Sequence, residues 1–144
     1  MIVRIKKICI SVSISAIMML PALANAGMVL VSNEKIVAKE ISKKDAKALF
    51  LGKKKQLEGV KVKVVGLAEG NPDRDAFLNE IIGMSSDKLS THWIDEGLKG
   101  GAKPPKSLKT VDSLIAYVKR KKNAIGYLNE KAAATSGLNV IAIK

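Results

Sequence analysis

The chain contains very little cysteine, histidine or aromatic side chain. Its 144 residues include one cysteine, one histidine and five aromatic residues. Cys9 lies in the N-terminal segment, so the remainder of the chain has no disulfide and no thiol nucleophile. These absences argue against a small disulfide-linked toxin or inhibitor scaffold and against a cysteine hydrolase.

The remaining polar residues do not form a recognisable catalytic or metal-binding pattern. His92 has Asp95 and Glu96 nearby on the same predicted helix, but a metal site would need further ligands from elsewhere. We interpret His92 as a partly exposed helix residue beside Trp93. No serine lies in a nucleophile-elbow sequence, and the carboxylates are scattered. The sequence therefore predicts neither an enzyme nor a bound metal or cofactor.

The first 26 residues have the pattern of a cleavable secretory signal. Arg4, Lys6 and Lys7 precede an apolar run from Ile8 to Leu20, and the small-residue sequence Ala24-Asn25-Ala26 follows. The apolar run is too short and wrongly flanked for a good transmembrane span. We expect cleavage after Ala26, a periplasmic location, no membrane span after cleavage, and one mature domain over residues 27–144.

Basic residues greatly outnumber acidic ones. The formal charge is +12, and without the three basic residues of the predicted signal it is +9, from 22 basic and 13 acidic residues. Such a charge favours anionic partners of any kind. The lysine-rich runs Lys53–Lys55 and Lys119–Lys122 contain no aromatic residue that could stack on bases, so specific nucleic-acid binding is not expected.

Apolar periodicity predicts alternating strands and helices. Strands are predicted at Met28–Ser32, Val60–Leu67, Ala124–Leu128 and Leu138–Ile143, and helices after Ser42, Asn71 and Thr110, over Asp87–Leu98 and around Glu130–Ala134. This order predicts an α/β domain with a mixed sheet of four or five strands.

The most informative segment runs from Glu69 to Phe77, where a predicted strand leads into a helix. Asn71 is a good N-cap, and Pro72 occupies the first helical position, where a missing N–H costs nothing. Gly70 belongs to the connecting loop, and free helix amides beside a loop of this kind can bind an anion. The segment is therefore a candidate anion site.

Arg74 has two interpretations. A cation in the first turn opposes the helix dipole, so a compensating contact is expected. That contact is either an ion pair with Asp75, Glu69 or another carboxylate, or a forked contact with a bound oxyanion. The sequence alone leaves both open.

Four phrases of the chain resemble the phosphate-binding proteins of ABC transporters, and their short single-domain relatives in particular. These phrases are residues 41–53 with Leu49-Phe50-Leu51-Gly52-Lys53, residues 69–77, Trp93 followed by Gly100-Gly101 and Pro104-Pro105, and Ala124-Ile125-Gly126-Tyr127-Leu128. They occur in the family's order and cover most of residues 27–144. The resemblance implies a periplasmic-binding-protein type II fold.

The same resemblance implies a noncatalytic protein that binds a small oxyanion, with phosphate as the candidate. It carries the family's anion loop onto residues 71–74, where only Arg74 is retained as such. Pro72 removes an amide donor, and Asp73 introduces a carboxylate that must turn away from the anion or accept a proton from it. The site residues implied are Gly70, Asn71, Asp73 and Arg74, with Ser32 and Asn33 as candidate partners.

The length of the mature chain leaves a second hypothesis open. The family binds phosphate between two lobes, and 118 residues amount to little more than one. The alternative is an envelope protein-interaction module that kept the fold and lost the ligand, with an envelope or transporter protein as its partner.

Overall fold

The structure is a computed structural model that describes residues 27–144. In this range the strands are β1 (Met28–Ser32), β2 (Glu40–Ile41), β3 (Gln56–Leu57), β4 (Val60–Lys61), β5 (Lys63–Leu67), β6 (Lys106–Leu108), β7 (Ala124–Asn129) and β8 (Asn139–Ile143). The helices are α1 (Lys43–Phe50), α2 (Pro72–Phe77), α3 (Ser86–Leu98), α4 (Val111–Arg120) and α5 (Glu130–Ser136), and a π-helical turn, Leu78–Ile82, continues α2. None of these helices combines the length and hydropathy that a membrane span requires. The predicted signal peptide, residues 1–26, lies outside the described residues.

The main sheet is mixed, as predicted, and has the strand order β2-β8-β1-β7-β5-β6. Strand β5 is parallel to both β6 and β7, whereas β1 is antiparallel to β7 and β8. Strand β2 is parallel to β8, and β3 forms a separate hairpin with β4. The α/β prediction with a mixed sheet flanked by helices is confirmed, and the described sheet has six strands rather than four or five.

The single strand predicted over Val60–Leu67 is divided in two. Glu58 and Gly59 both have positive φ, at 48° and 78°, and make the tight turn that pairs β3 with β4. The amide of Val62 then donates to the carbonyl of Lys55, which closes this hairpin before the chain enters β5. Strands β2 and β6 were not predicted because two or three residues are too short to show alternation.

The helices begin at the predicted caps. Ser42 Oγ accepts from the amide of Asp45 at 3.1 Å, and Asn71 Oδ1 accepts from that of Asp73 at 2.9 Å. Thr110 forms a full capping box with Ser113 at the start of α4. These local side-chain acceptors satisfy amides that have no partner inside the helix.

Successive residues of β7 pack on opposite faces of the sheet. A Cβ on Gly126 would lie 2.9 Å from Leu114 Cδ2, so α4 packs closely against this face. Tyr127 points to the other face, where its ring contacts Phe50 of α1 and Phe77 of α2. The period-two alternation of a strand therefore places α4 on one side and the aromatic cluster on the other.

The segment between β1 and β2 is held by one side chain from β8. Asn139 Nδ2 lies 2.7 Å from the carbonyl oxygen of Ile36, 3.1 Å from that of Ala38 and 3.2 Å from Ser32 Oγ. Ile36 and Ala38 are almost fully buried. Their carbonyls therefore depend on Asn139 for hydrogen bonds that water cannot readily replace.

We expect Asn139→Ala to lower the free energy of unfolding by about 1–3 kcal/mol, because it leaves buried acceptors without a donor. Urea unfolding followed by circular dichroism measures the change. Asn79→Ala is the matched control, since Asn79 is exposed on the π-helical turn. Equal midpoints for the two variants would show that Asn139 does not hold this segment.

Candidate functional site

The backbone amides of the turn before α2 form hydrogen bonds within that turn. Gly70 adopts a φ of 89°, and the amide of Asn71 donates to the carbonyl of Ala68. The carbonyl of Asn71 accepts from the amides of Arg74 and Asp75, at 3.0 and 3.2 Å. Because Pro72 has no N–H and the Asp73 amide is capped, the first-turn amides are already engaged. The expectation of free helix amides as the anion seat is therefore not met.

The carboxylate of Asp73 turns toward β7. Asn129 Nδ2 lies 3.2 and 3.0 Å from the two oxygens of this carboxylate. Asn129 also caps α5, because its Oδ1 accepts from the amide of Ala132 at 2.8 Å. Asn129 therefore joins the start of α2 to the start of α5 and satisfies the negative group of the turn.

Arg74 makes no direct ion pair within residues 27–144. The salt bridges in that range are Lys54–Asp45 and Lys144–Glu40. Arg74 Nη2 instead donates to Ser86 Oγ at 3.3 Å, and this hydroxyl donates to Glu69 Oε1 at 3.2 Å. The predicted direct ion pair with Asp75 or Glu69 is absent from the described residues, and the link to Glu69 runs through Ser86.

The Nε–H of Arg74 is buried and has no hydrogen-bond partner in the part of the chain that the structure describes. An unpaired buried donor, and a charged one in particular, is costly. A bound acceptor would remove this cost.

Tyr127 supplies a hydroxyl beside Arg74. The ladder between β5 and β7 ends at the Val64–Ile125 pair, and further along β5 the Leu67 amide donates to Tyr127 Oη at 2.9 Å. Gly66 permits this arrangement, because a Cβ there would lie 3.2 Å from the Tyr127 hydroxyl oxygen. Since Tyr127 Oη accepts from the backbone, its own proton is available for donation into the neighbouring space.

Burial raises the pKa of the Tyr127 hydroxyl above its ordinary value of about 10. The hydrogen bond from Leu67 and the nearby Arg74 charge oppose this shift but do not cancel it. Tyr127 is therefore a neutral donor throughout the physiological pH range.

These groups line a cleft of about 100 Å³ beside the aromatic cluster. Its polar lining residues are Arg74, Tyr127, Ser90 and Ser107. The other lining residues are apolar or glycine, namely Phe50, Gly66, Leu67, Phe77, Leu78, Ile82, Leu89, Trp93, Pro104 and Pro105. Among the described residues that line the cleft, Arg74 is thus the single charged side chain, and the other polar groups are three hydroxyls and the indole N–H of Trp93.

Ser32 and Asn33 lie at the other end of the sheet. In the antiparallel pair of β1 and β7, Met28 is opposite Asn129 whereas Ser32 is opposite Ile125. Ser32 is fully buried, and Asn33 Nδ2 donates to the carbonyl of Lys121 at 2.8 Å. The structure therefore brings Gly70, Asn71, Asp73 and Arg74 together but separates them from Ser32 and Asn33.

His92 has a structural contact. Its Nε2 lies 3.0 Å from the carbonyl oxygen of Leu51, and its ring packs edge-on against Trp93 at a centroid distance of 4.8 Å. Between residues 27 and 144, no three histidine, aspartate or glutamate side chains converge as a metal site.

No sequence pattern points to the hydroxyl donors of the cleft. Ser90, Ser107 and Tyr127 are distant in sequence, and their convergence depends on the parallel pairing that places Gly66 opposite Ser107. Tyr127 did lie in a phrase that carried the family resemblance, but nothing local assigned its hydroxyl to a site.

We expect Tyr127→Phe to lower the free energy of unfolding by about 1–3 kcal/mol, because it leaves the buried Leu67 amide without an acceptor.

In the wild type, the raised pKa of Tyr127 means that the neutral phenol stabilises the fold below pH 10. This contribution is lost as the pH rises through the folded-state pKa. The difference between the 295 nm absorbance titrations of wild type and variant isolates Tyr127. A midpoint at or below 10 would contradict the burial argument.

Comparison with solved structures shows the same fold in phosphate-binding proteins. PstS from Borrelia burgdorferi matches with a TM-score of 0.61 at 11% identity, over 82% of this chain and 47% of that protein. A protein from Clostridium perfringens, described as a phosphate ABC transporter substrate-binding protein and solved with bound phosphate, matches with a TM-score of 0.60 at 22% identity, over 82% and 44%. An ABC-type phosphate transport receptor from Vibrio cholerae matches with a TM-score of 0.54 at 13% identity, over 81% and 46%.

The chain thus spans less than half the length of these three proteins. No family model matches the sequence, and no curated protein matches it significantly. The structural likeness confirms the fold that the phrases predicted. Over most of its described residues, the chain has the type II periplasmic-binding-protein fold of phosphate ABC transporter substrate-binding proteins.

Proposed function

We propose that residues 27–144 form a noncatalytic periplasmic binding protein for a small oxyanion, with phosphate as the first candidate. The observation that carries the proposal is the guanidinium of Arg74, whose buried Nε–H has no hydrogen-bond partner among the described residues. Arg74 lines a cleft, and none of the described residues that line this cleft carries a carboxylate. Arginine in such a setting favours an anion because it offers charge and directed donors together.

The turn before Arg74 has a supporting role in this proposal. Gly70 and Asn71 set the start of α2, and the contact between Asp73 and Asn129 directs the Asp73 carboxylate toward β7. This removes the repulsion that a carboxylate in an anion loop would otherwise cause. The site therefore uses side-chain donors rather than helix amides, and Ser32 and Asn33 are not part of it.

Two further facts favour the same function. The formal charge of +9 for residues 27–144 attracts anions to the whole molecule. The structural neighbours are named as phosphate-binding or phosphate-transport proteins, one of them solved with phosphate. An envelope or transporter protein is the partner that this function would require.

We expect Arg74→Met to weaken binding of phosphate or sulfate by roughly tenfold to a hundredfold, since charge-assisted hydrogen bonds are lost. Isothermal titration calorimetry of the mature protein measures the affinity at low ionic strength. Arg120→Met is the matched control, because it makes the same charge change at an exposed position on α4. The absence of heat with every anion tested at millimolar concentration would overturn the proposal, and so would equal losses in both variants.

A second candidate function is the protein-interaction module. Ile94 and Leu98 lie one turn apart on α3 and are 64% and 82% exposed. Adjacent exposed apolar side chains of this kind are typical of interaction sites. They favour a partner that covers the outer face of α3.

For this second candidate we expect Leu98→Asp to abolish capture of a stoichiometric partner from periplasmic extract, whereas Arg74→Met leaves capture intact. Val37→Asp serves as the control, since Val37 is 72% exposed on a different part of the surface. Quantitative mass spectrometry after crosslinking measures the yield. Similar yields for the two aspartate variants would count against an interaction through α3.

A further inference from the structure

We infer that the anion held at Arg74 is a small organic carboxylate with an apolar substituent, rather than an inorganic oxyanion. This inference rests on the proposed function of Arg74 and narrows the class of ligand. It is carried by the composition of the cleft, which combines one cation and three hydroxyls with an extended apolar wall.

The charged end of the cleft matches one carboxylate. Arg74 contributes the unpaired Nε–H, and Tyr127 contributes a hydroxyl whose oxygen already accepts from Leu67. Ser90 and Ser107 complete the hydroxyl donors that line the cleft. A carboxylate has two oxygens, and its planar geometry fits the fork of a guanidinium.

The cleft offers few of the hydrogen-bonding groups that inorganic phosphate requires. All four of its oxygens are polar, so every direction around the phosphorus needs a hydrogen-bonding group or water. At neutral pH it also carries a hydroxyl proton, and the side-chain acceptors that line the cleft among the described residues are hydroxyl oxygens. The carboxylate of Asp73, the residue before Arg74 in the sequence, is directed to Asn129 instead.

The apolar side chains that line the cleft favour contact with an apolar part of the ligand. Nine of the fourteen lining residues are leucine, isoleucine, proline, phenylalanine or tryptophan. Covering oxygens with these side chains would cost desolvation energy, whereas covering methylene groups is favourable. The same wall that disfavours phosphate therefore favours an alkyl substituent.

The cleft volume limits the size of that substituent. An engineered protein cavity of about 150 Å³ holds benzene. By the same ratio a cleft of about 100 Å³ encloses about four non-hydrogen atoms, and because the cleft opens to solvent, a ligand of about five or six can leave its outermost atoms exposed. Propionate and butyrate are of this size, and hexanoate exceeds it.

The test titrates the mature wild-type protein with acetate, propionate, butyrate, hexanoate, phosphate and sulfate at constant ionic strength. Trp93 lines the cleft and is the single tryptophan of the chain, so its fluorescence reports binding there. We expect affinity to rise roughly fourfold for each methylene from acetate to butyrate. It should level off or fall at hexanoate.

Two apolar residues give a matched pair of variants. Leu89 is 8% exposed and lines the cleft, whereas Val37 is 72% exposed and does not. Leu89→Ala enlarges the cleft and should move the best chain length upward, and Val37→Ala should leave the series unchanged. The wild-type series decides the question even where Leu89→Ala folds poorly.

The outcomes separate this inference from the proposed function. Phosphate or sulfate binding more tightly than every carboxylate, with dependence on Arg74, would overturn the inference and leave the oxyanion function standing. Butyrate binding that Arg74→Met does not weaken would also overturn it, since the carboxylate would then not be recognised. If no anion binds, both the inference and the oxyanion function fail.

Discussion

The stacked pair of Phe77 and Tyr127 is the contact on which the cleft and its surroundings depend. The two rings are nearly parallel, with centroids 3.9 Å apart, and Phe50 packs edge-on against both. Three of the five aromatic residues of the chain therefore meet at one point between α1, α2 and β7. Aromatic rings bury large areas and stack in defined geometries, so this cluster fixes the position of α2 over the sheet. It also places the Tyr127 hydroxyl against β5.

The charges near the start of α2 are distributed so that the positive one faces the cleft. Asn129 binds the carboxylate of Asp73, and Ser86 stands between Arg74 and Glu69. Neither carboxylate contacts the guanidinium directly, so its charge is only partly compensated. An arrangement that leaves a buried arginine donor without a partner costs stability, and such costs are common at binding sites. The unpaired Nε–H of Arg74 is the observation on which the proposed anion site rests.

The likeness to phosphate-binding proteins covers most of the described residues but less than half of each neighbour. The likeness concerns the scaffold, which in this chain is a mixed six-stranded sheet flanked by helices. In this chain the cleft lining places apolar side chains around one arginine. Because function depends on the site rather than on the fold, the ligand has to be argued from this lining.

The sequence by itself determined the long strands, the helix starts and the α/β class, because each follows from local rules. Short apolar runs mark β1, β7 and β8, and Ser42, Asn71 and Thr110 cap helices through contacts only a few residues away. The short strands β2 and β6 depend on pairing with distant segments, and the division at Val62 follows from the hairpin of β3 with β4. The site shows the same limit: the anion-loop phrase located Arg74, but only the tertiary structure joined Asp73 to Asn129 and brought Ser107 and Tyr127 beside Arg74. Those contacts join residues far apart in sequence, and their geometry is set by strand register and aromatic packing.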